Sequence, residues 1–215
     1  MDRADRSPGA GPATRRLFVA VPLDARALTA VAGLVAELRA DEALARAGHG
    51  GDPGDRRSAV RWVRPEGIHL TLRFLGPTLP SRVMAAAAAV TASVTGVGPF
   101  PVRLAGGGAY PRPSAPRVLW LGVAEGTDQL ADLARRLEAT LAAAGWPPAD
   151  RPFAAHLTLG RSSDALAARP VAEALVRRAA ALAVSWTADR LVLFESRLGP
   201  GGARYEEVRV AVLSG

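Results

Sequence analysis

The 215-residue sequence contains no cysteine, which removes disulfides, zinc–thiolate sites and thiol nucleophiles from the chemistry open to it. Lysine is also missing, and all 27 basic residues are arginine. An arginine-only cationic set beside abundant alanine, glycine and proline is the imprint of a GC-rich code. The net charge of +7 is therefore weak evidence for an RNA partner, although its field still draws a phosphate-bearing ligand toward a cleft. No stretch is long and apolar enough to span a bilayer: the blandest, Met84 to Val90, is mostly alanine. The basic N-terminal residues are not followed by the apolar core of a secretory leader. These absences predict a cytoplasmic enzyme or binding protein that does not contact membranes. Hydrophobic residues make up 49% of the chain and charged ones 22%, a globular balance.

Residues 1–14 are rich in Pro, Gly, Asp and Arg, and are predicted to be a disordered tail. Residues 15–215 are predicted to form one bilobal domain. Strands are expected at Arg16–Val21, Val60–Val63, Ile68–Leu75, Phe100–Leu104, Val118–Val123, Phe153–Leu159, Leu191–Glu195 and Tyr205–Val212. Helices are expected from Asp24 to about Arg46, from Ser81 as cap to Ser93, from Thr127 as cap through Gln129–Ala144, and over Pro170–Ala180. Gly48–Ser58 reads as a loop. The fold class is α+β.

The tetrapeptide His-Leu-Thr-Leu occurs twice, at residues 69–72 and 156–159, and the separation of 156 − 69 = 87 residues is near half the ordered chain. Two lobes of similar plan, each donating one such strand, is the simplest architecture. Strand side chains alternate between faces. His69, Thr71 and Arg73 therefore share one face, and His156 and Thr158 share another, with the leucines behind as core. Two imidazoles near neutral pH can hold opposite protonation states. One then deprotonates water while the other protonates a departing oxygen, as in-line displacement at phosphorus requires. Threonine hydroxyls donate to the non-bridging oxygens. Strict parity puts Arg161 on the leucine face, and a bend at Gly160 is needed to turn it toward a phosphate. The third histidine, His49, reads as a solvated loop residue. A zinc site built from all three lacks ligand spacing.

The paired His-x-Thr motifs resemble those of the two-histidine phosphoesterase superfamily. Their flanks are similar to its RNA 2′,3′-cyclic phosphodiesterase branch, formerly described as 2′-5′ RNA ligases. The matching blocks are Arg16–Val21, Ile68–Gly76, Arg117–Gly122, Arg151–Phe153 and His156–Leu159 with Arg161. The resemblance implies a bilobal fold with two pseudo-symmetric lobes of mainly antiparallel sheet and outer helices around a central cleft. It implies hydrolysis of a terminal 2′,3′-cyclic phosphate to a 2′-phosphate, with no metal and no cofactor. His69, Thr71, His156 and Thr158 carry over as catalytic residues. Arg161 carries over as substrate-binding, with Arg73 at the cleft mouth and Phe18 stacking on a terminal base. The partners expected are RNA ends or nucleotides bearing the cyclic phosphate, and the chain is expected to be a monomer. Other readings of the same residues are a phosphodiesterase or reversible ligase for 2′-5′ RNA, an enzyme for a small cyclic phosphate metabolite, and a non-catalytic RNA-binding module. The N-terminal tail and the Arg46–Arg57 stretch depart from the family pattern without touching the motifs.

Overall fold

The run Leu17-Phe18-Val19-Ala20-Val21 is apolar at every position, as a strand covered on both faces requires. In a computed structural model it is a central strand, and none of these five residues is more than 3% exposed. The structure describes residues 13–48, 58–199 and 202–215. His49, most of the expected loop and most of the expected tail lie outside these residues.

Among the described residues there are nine strands and four α-helices. In chain order they are β1 (Arg15–Pro22), α1 (Ala25–Gly48), β2 (Arg61–Trp62), β3 (His69–Thr78), α2 (Val83–Ser93), β4 (Phe100–Arg112) and β5 (Ala115–Glu125). There follow α3 (Thr127–Ala143), β6 (His156–Arg161), α4 (Ala165–Ala179), β7 (Val184–Ala188), β8 (Arg190–Gly199) and β9 (Gly202–Val212).

The strands form one sheet in the order β7-β4-β5-β6-β3-β1-β8-β9, with β2 pairing β6. Every pairing is antiparallel. β6 and β3, which carry the two motifs, lie side by side at its centre. The half running β3-β1-β8-β9 is packed by α2 and α3, and the half running β7-β4-β5-β6 by α1 and α4. Each helix that follows a first motif-lobe strand crosses over: β1 leads into α1 on the other half, and β5 leads into α3 on the first. The sheet curls, so that the ring of Tyr205 in β9 closes against Gly67 in the turn before β3, where an added Cβ would lie 2.9 Å from it.

Several element ends differ from expectation for identifiable reasons. Ser81 does not cap α2; it lies inside the single 3₁₀ turn Pro80–Arg82, and no side chain caps the helix. Thr127 is the first residue of α3 rather than its cap. That place belongs to Gly126, whose φ of 85° and Cβ position 2.6 Å from the Pro101 carbonyl oxygen admit no side chain. α4 begins five residues before Pro170, because the Asp164 carboxylate accepts the N–H groups of Leu166 and Ala167, each at 3.0 Å. β6 begins only at His156, leaving Phe153–Ala155 outside the sheet. β7 was not expected: Val184, Trp186 and Ala188 point into the core and alternate with exposed Ser185 and Thr187, but the preceding alanine run masks the alternation.

Candidate active site

β3 and β6 are joined at Leu70 and Leu157, which are 1% and 0% exposed. Taking that antiparallel register one residue either way sets His69 opposite Thr158 and Thr71 opposite His156. Directly opposed residues share a face with Cβ atoms about 5 Å apart. The leucines hold one face against the helices, and the two His-Thr pairs interlock crosswise on the other. Both histidines and both threonines are partly exposed.

A β-bulge follows each motif and decides what lies beyond it. In β6, Thr158 is opposite Trp120 while Gly160 is opposite Leu119 and Arg161 opposite Val118. Leu159 is the extra residue, so Arg161 returns to the face of Thr158. Gly160 is required there, because a Cβ would sit 2.6 Å from Val60 Cγ1 on the chain entering β2. In β3, Thr71 is opposite Ala20 while Arg73 is opposite Val19 and Phe74 opposite Phe18. Leu72 is the extra residue, and parity beyond it is reversed.

Arg73 therefore leaves the histidine face, contrary to the parity expectation. Its Nε lies 2.7 Å from Glu138 Oε1 in α3, and its Nη2 donates to the Pro147 carbonyl at 2.5 Å. It fastens the sheet to α3 and does not line the cleft mouth. Phe74 takes the cleft side instead and is 61% exposed.

A cleft of about 250 Å³ opens on this face, lined by His69, Thr71, Phe74, Thr158, Arg161 and Tyr205 among others. His156 borders the cleft without lining it. Its Nδ1 donates to the Ala154 carbonyl at 2.8 Å, and the Tyr110 ring meets it edge-on at 5.5 Å. A carbonyl can only accept, so Nδ1 carries hydrogen and Nε2 is the free nitrogen. His69 follows the same plan, with a hydrogen bond to the backbone of Gly67. In both motifs the ring is steered by the residue two places earlier, and in both a tyrosine stands edge-on, since Tyr205 lies 5.3 Å from His69.

Phe18 is 3% exposed and stacks on His69 at 4.7 Å. Phe194 also stacks on it, at 5.2 Å, and lies 6.1 Å from the His69 ring. Phe18 lies in the cleft wall with little surface of its own, and the contact it makes in this structure is support for the histidine ring. Burial in this aromatic nest pushes the His69 pKa down to about 4, the Gly67 hydrogen bond opposing. Burial also raises the Tyr205 hydroxyl, opposed by the positive fields of Arg161 and Arg61.

Phe74 and Tyr205 are among the cleft residues that the sequence does not single out, as are Arg16, Val63 and Ser196. Phe74 had a signal: it lies five residues after His69, as Arg161 lies five after His156. Tyr205 had none, because its approach to Gly67 joins residues far apart in the chain. Among the described residues, no three His, Asp or Glu side chains cluster closely enough to hold a metal ion. No helix among them is long and apolar enough to cross a membrane.

The family model described as the 2′-5′ RNA ligase superfamily matches residues 27–200. The RNA 2′,3′-cyclic phosphodiesterase of Methanothermobacter thermautotrophicus is 30% identical over 151 residues, covering 70% of this chain and 81% of its own. The protein of the same name from Archaeoglobus fulgidus is 34% identical over 154 residues, covering 71% and 84%. The crystal structure of E. coli LigT complexed with ATP superposes with a TM-score of 0.65 at 25% identity, over 94% of this chain and 99% of LigT.

Proposed function

The chain belongs to the 2′-5′ RNA ligase superfamily, and from that membership we propose that it is an RNA 2′,3′-cyclic phosphodiesterase whose reaction runs on His69 and His156. The observation that carries the reading is the crosswise register of the two motifs, which gathers two imidazoles and two hydroxyls on one face. Two proteins that match most of this chain are named for that activity.

The cyclic phosphate sits over the block with its non-bridging oxygens toward the Thr71 and Thr158 hydroxyls. Those donors meet the charge that gathers on the oxygens in the transition state. Arg161, returned to this face by the bulge one strand step beyond Thr158, draws the phosphates of the substrate by its charge. His69, kept neutral by burial, has a lone pair on its free nitrogen and takes the proton of the attacking water. His156 enters the step with a proton also on its free Nε2 and gives that proton to O3′ as the P–O3′ bond breaks, leaving a 2′-phosphate. Proton acceptor, proton donor and oxyanion donors are all side chains, which leaves no step for a metal to perform. Exposed Phe74 offers its ring to the terminal base. The enzyme acts as a cytoplasmic monomer.

The test is a product assay on an RNA ending in a 2′,3′-cyclic phosphate, resolving 2′- from 3′-phosphate. Formation of the 2′-phosphate by the wild type, and its loss in His69→Ala and His156→Ala, is the expected result. Full activity in either variant overturns the mechanism. Reversal of the roles of the two histidines is tested with a substrate whose departing atom is sulfur. A thiolate leaves without protonation, so that substrate rescues the variant of the acid, expected to be His156→Ala.

A further inference from the structure

Arg61 in β2 is directly opposed to Arg161 in β6. Both are exposed, and neither has an acidic partner among the described residues. Others such as Arg16 and Arg64 lack one too, but in the other directly opposed arginine pair, Arg197 and Arg204, Arg197 is neutralised by Glu195 and Glu206. Like charges directly opposed on neighbouring strands repel, and an anion seated between two guanidiniums turns that repulsion into attraction. β2 takes up the edge of β6 beyond the point where β3 leaves it, so the pair continues the row begun by His69 and Thr158. Both arginines act electrostatically on Tyr205, a cleft residue. Along the unbulged partner strand, Thr158 is opposite Trp120 and Arg161 opposite Val118. Two strand residues span about 7 Å, a step comparable to the spacing of successive phosphates on an extended RNA backbone.

The chemistry of the substrate says which anion stands there. A 2′,3′-cyclic phosphate occupies both secondary hydroxyls of the terminal ribose, so any other phosphate on that nucleotide is on O5′, one ribose away from the reacting phosphorus. We infer that Arg61 and Arg161 form a second anion subsite that holds the phosphate on O5′ of the terminal nucleotide, and that Arg61 thereby selects RNA ends over cyclic nucleosides with a free 5′-hydroxyl. The inference rests on the cyclic phosphodiesterase reading of the neighbouring cleft. The O5′ phosphate is either an internucleotide diester or a 5′-monoester.

The experiment compares adenosine 2′,3′-cyclic phosphate, the same compound with a 5′-phosphate, and the dinucleotide ApA ending in a 2′,3′-cyclic phosphate. The wild type is expected to show higher kcat/KM on the two that carry an O5′ phosphate, and Arg61→Ala to cut that preference about tenfold, the size of a lost charge-assisted contact. Arg61→Lys is expected to keep an intermediate preference, since it retains charge without the guanidinium fork. Preference for the dinucleotide alone assigns the subsite to the diester; preference for both assigns it to any O5′ phosphate. Equal rates on all three in the wild type, or a preference that survives Arg61→Ala, overturns the subsite. If the wild type hydrolyses none of them, the main reading fails and the subsite is judged by equilibrium binding of the same compounds. Tighter binding of the O5′-phosphorylated ones that Arg61→Ala erases supports it, and equal binding overturns it.

Discussion

Phe74 and Arg161 occupy equivalent places in the two halves of the sheet. Each stands five residues after its histidine, and each is turned onto the cleft face by a bulge at the leucine that closes its motif. The repeat is thus symmetric in backbone and asymmetric in chemistry, with an aromatic ring at one end of the block and a guanidinium at the other.

Adjacent Arg73 and Phe74 should therefore separate stability from binding. Arg73→Ala removes the contacts to Glu138 and Pro147 and is expected to cost about 1–2 kcal/mol in urea unfolding, with KM unchanged. Phe74→Ala removes an exposed ring and is expected to leave the unfolding midpoint in place while raising KM severalfold. The opposite pattern would return Arg73 to the cleft.

Thr71→Val and Thr158→Val keep the side-chain shape and delete one hydroxyl each. If both hydroxyls meet the non-bridging oxygens, each change lowers kcat by about 10²-fold or more with little effect on KM. His69→Ala and His156→Ala lower it by about 10²–10⁴-fold. Activity measured after EDTA dialysis should equal that before; a loss restored by added metal would contradict the side-chain mechanism.

The pH dependence of stability follows from His69. Its pKa is about 4 in the native chain and ~6.5 in the unfolded one. Above pH 6.5 neither state is protonated and nothing is lost. As pH falls from 6.5 to 4 the unfolded chain binds a proton that the native chain refuses, so native stability declines, by about 3 kcal/mol across that window. His69→Phe keeps an aromatic ring against Phe18 without titrating. Urea unfolding at pH 7 and pH 4.5 should show a smaller drop for this variant than for the wild type.

Gly160→Ala places a methyl 2.6 Å from Val60 Cγ1. Relief of that clash pushes β2 off β6 and disturbs the bulge that aims Arg161. The variant is expected to lose about 1–3 kcal/mol of stability and to show a higher KM. Normal KM with lowered stability would mean that Arg161 is aimed by something other than the bulge.

How far the sequence discloses this site depends on the range of the physics involved. The identity of the two motifs is visible because His-x-Thr over alternating leucines is a period-two pattern, and their convergence follows from the repeat. The bend at Gly160 is visible because glycine marks it. The bulge at Leu72 is not: no glycine stands beside it, and an extra leucine between Thr71 and Arg73 leaves the apolar pattern intact while reversing parity. That is why Arg73 is read onto the wrong face and Phe74 overlooked. Phe18 reads equally as core or as a base platform until Phe194 and Tyr205 are seen to enclose it. β7 hides behind Ala179-Ala180-Ala181, where helix propensity outweighs a short alternation.

The strands that flank His69 come from opposite ends of the described chain. Phe18 belongs to β1, whereas Phe194, Ser196 and Tyr205 belong to β8 and β9, and β8 pairs directly with β1. On the ribosome, both histidines and both threonines are therefore made well before the walls that enclose one of them. A nascent chain that stops after β7 has the whole reactive quartet but leaves β1 with an open edge where β8 should lie. Closure must bring together segments about 175 residues apart, a long-range pairing of the kind that slows folding. Catalytic competence thus waits on the synthesis of β8 and β9, and truncation near residue 190 is expected to abolish activity while sparing every residue that performs the chemistry.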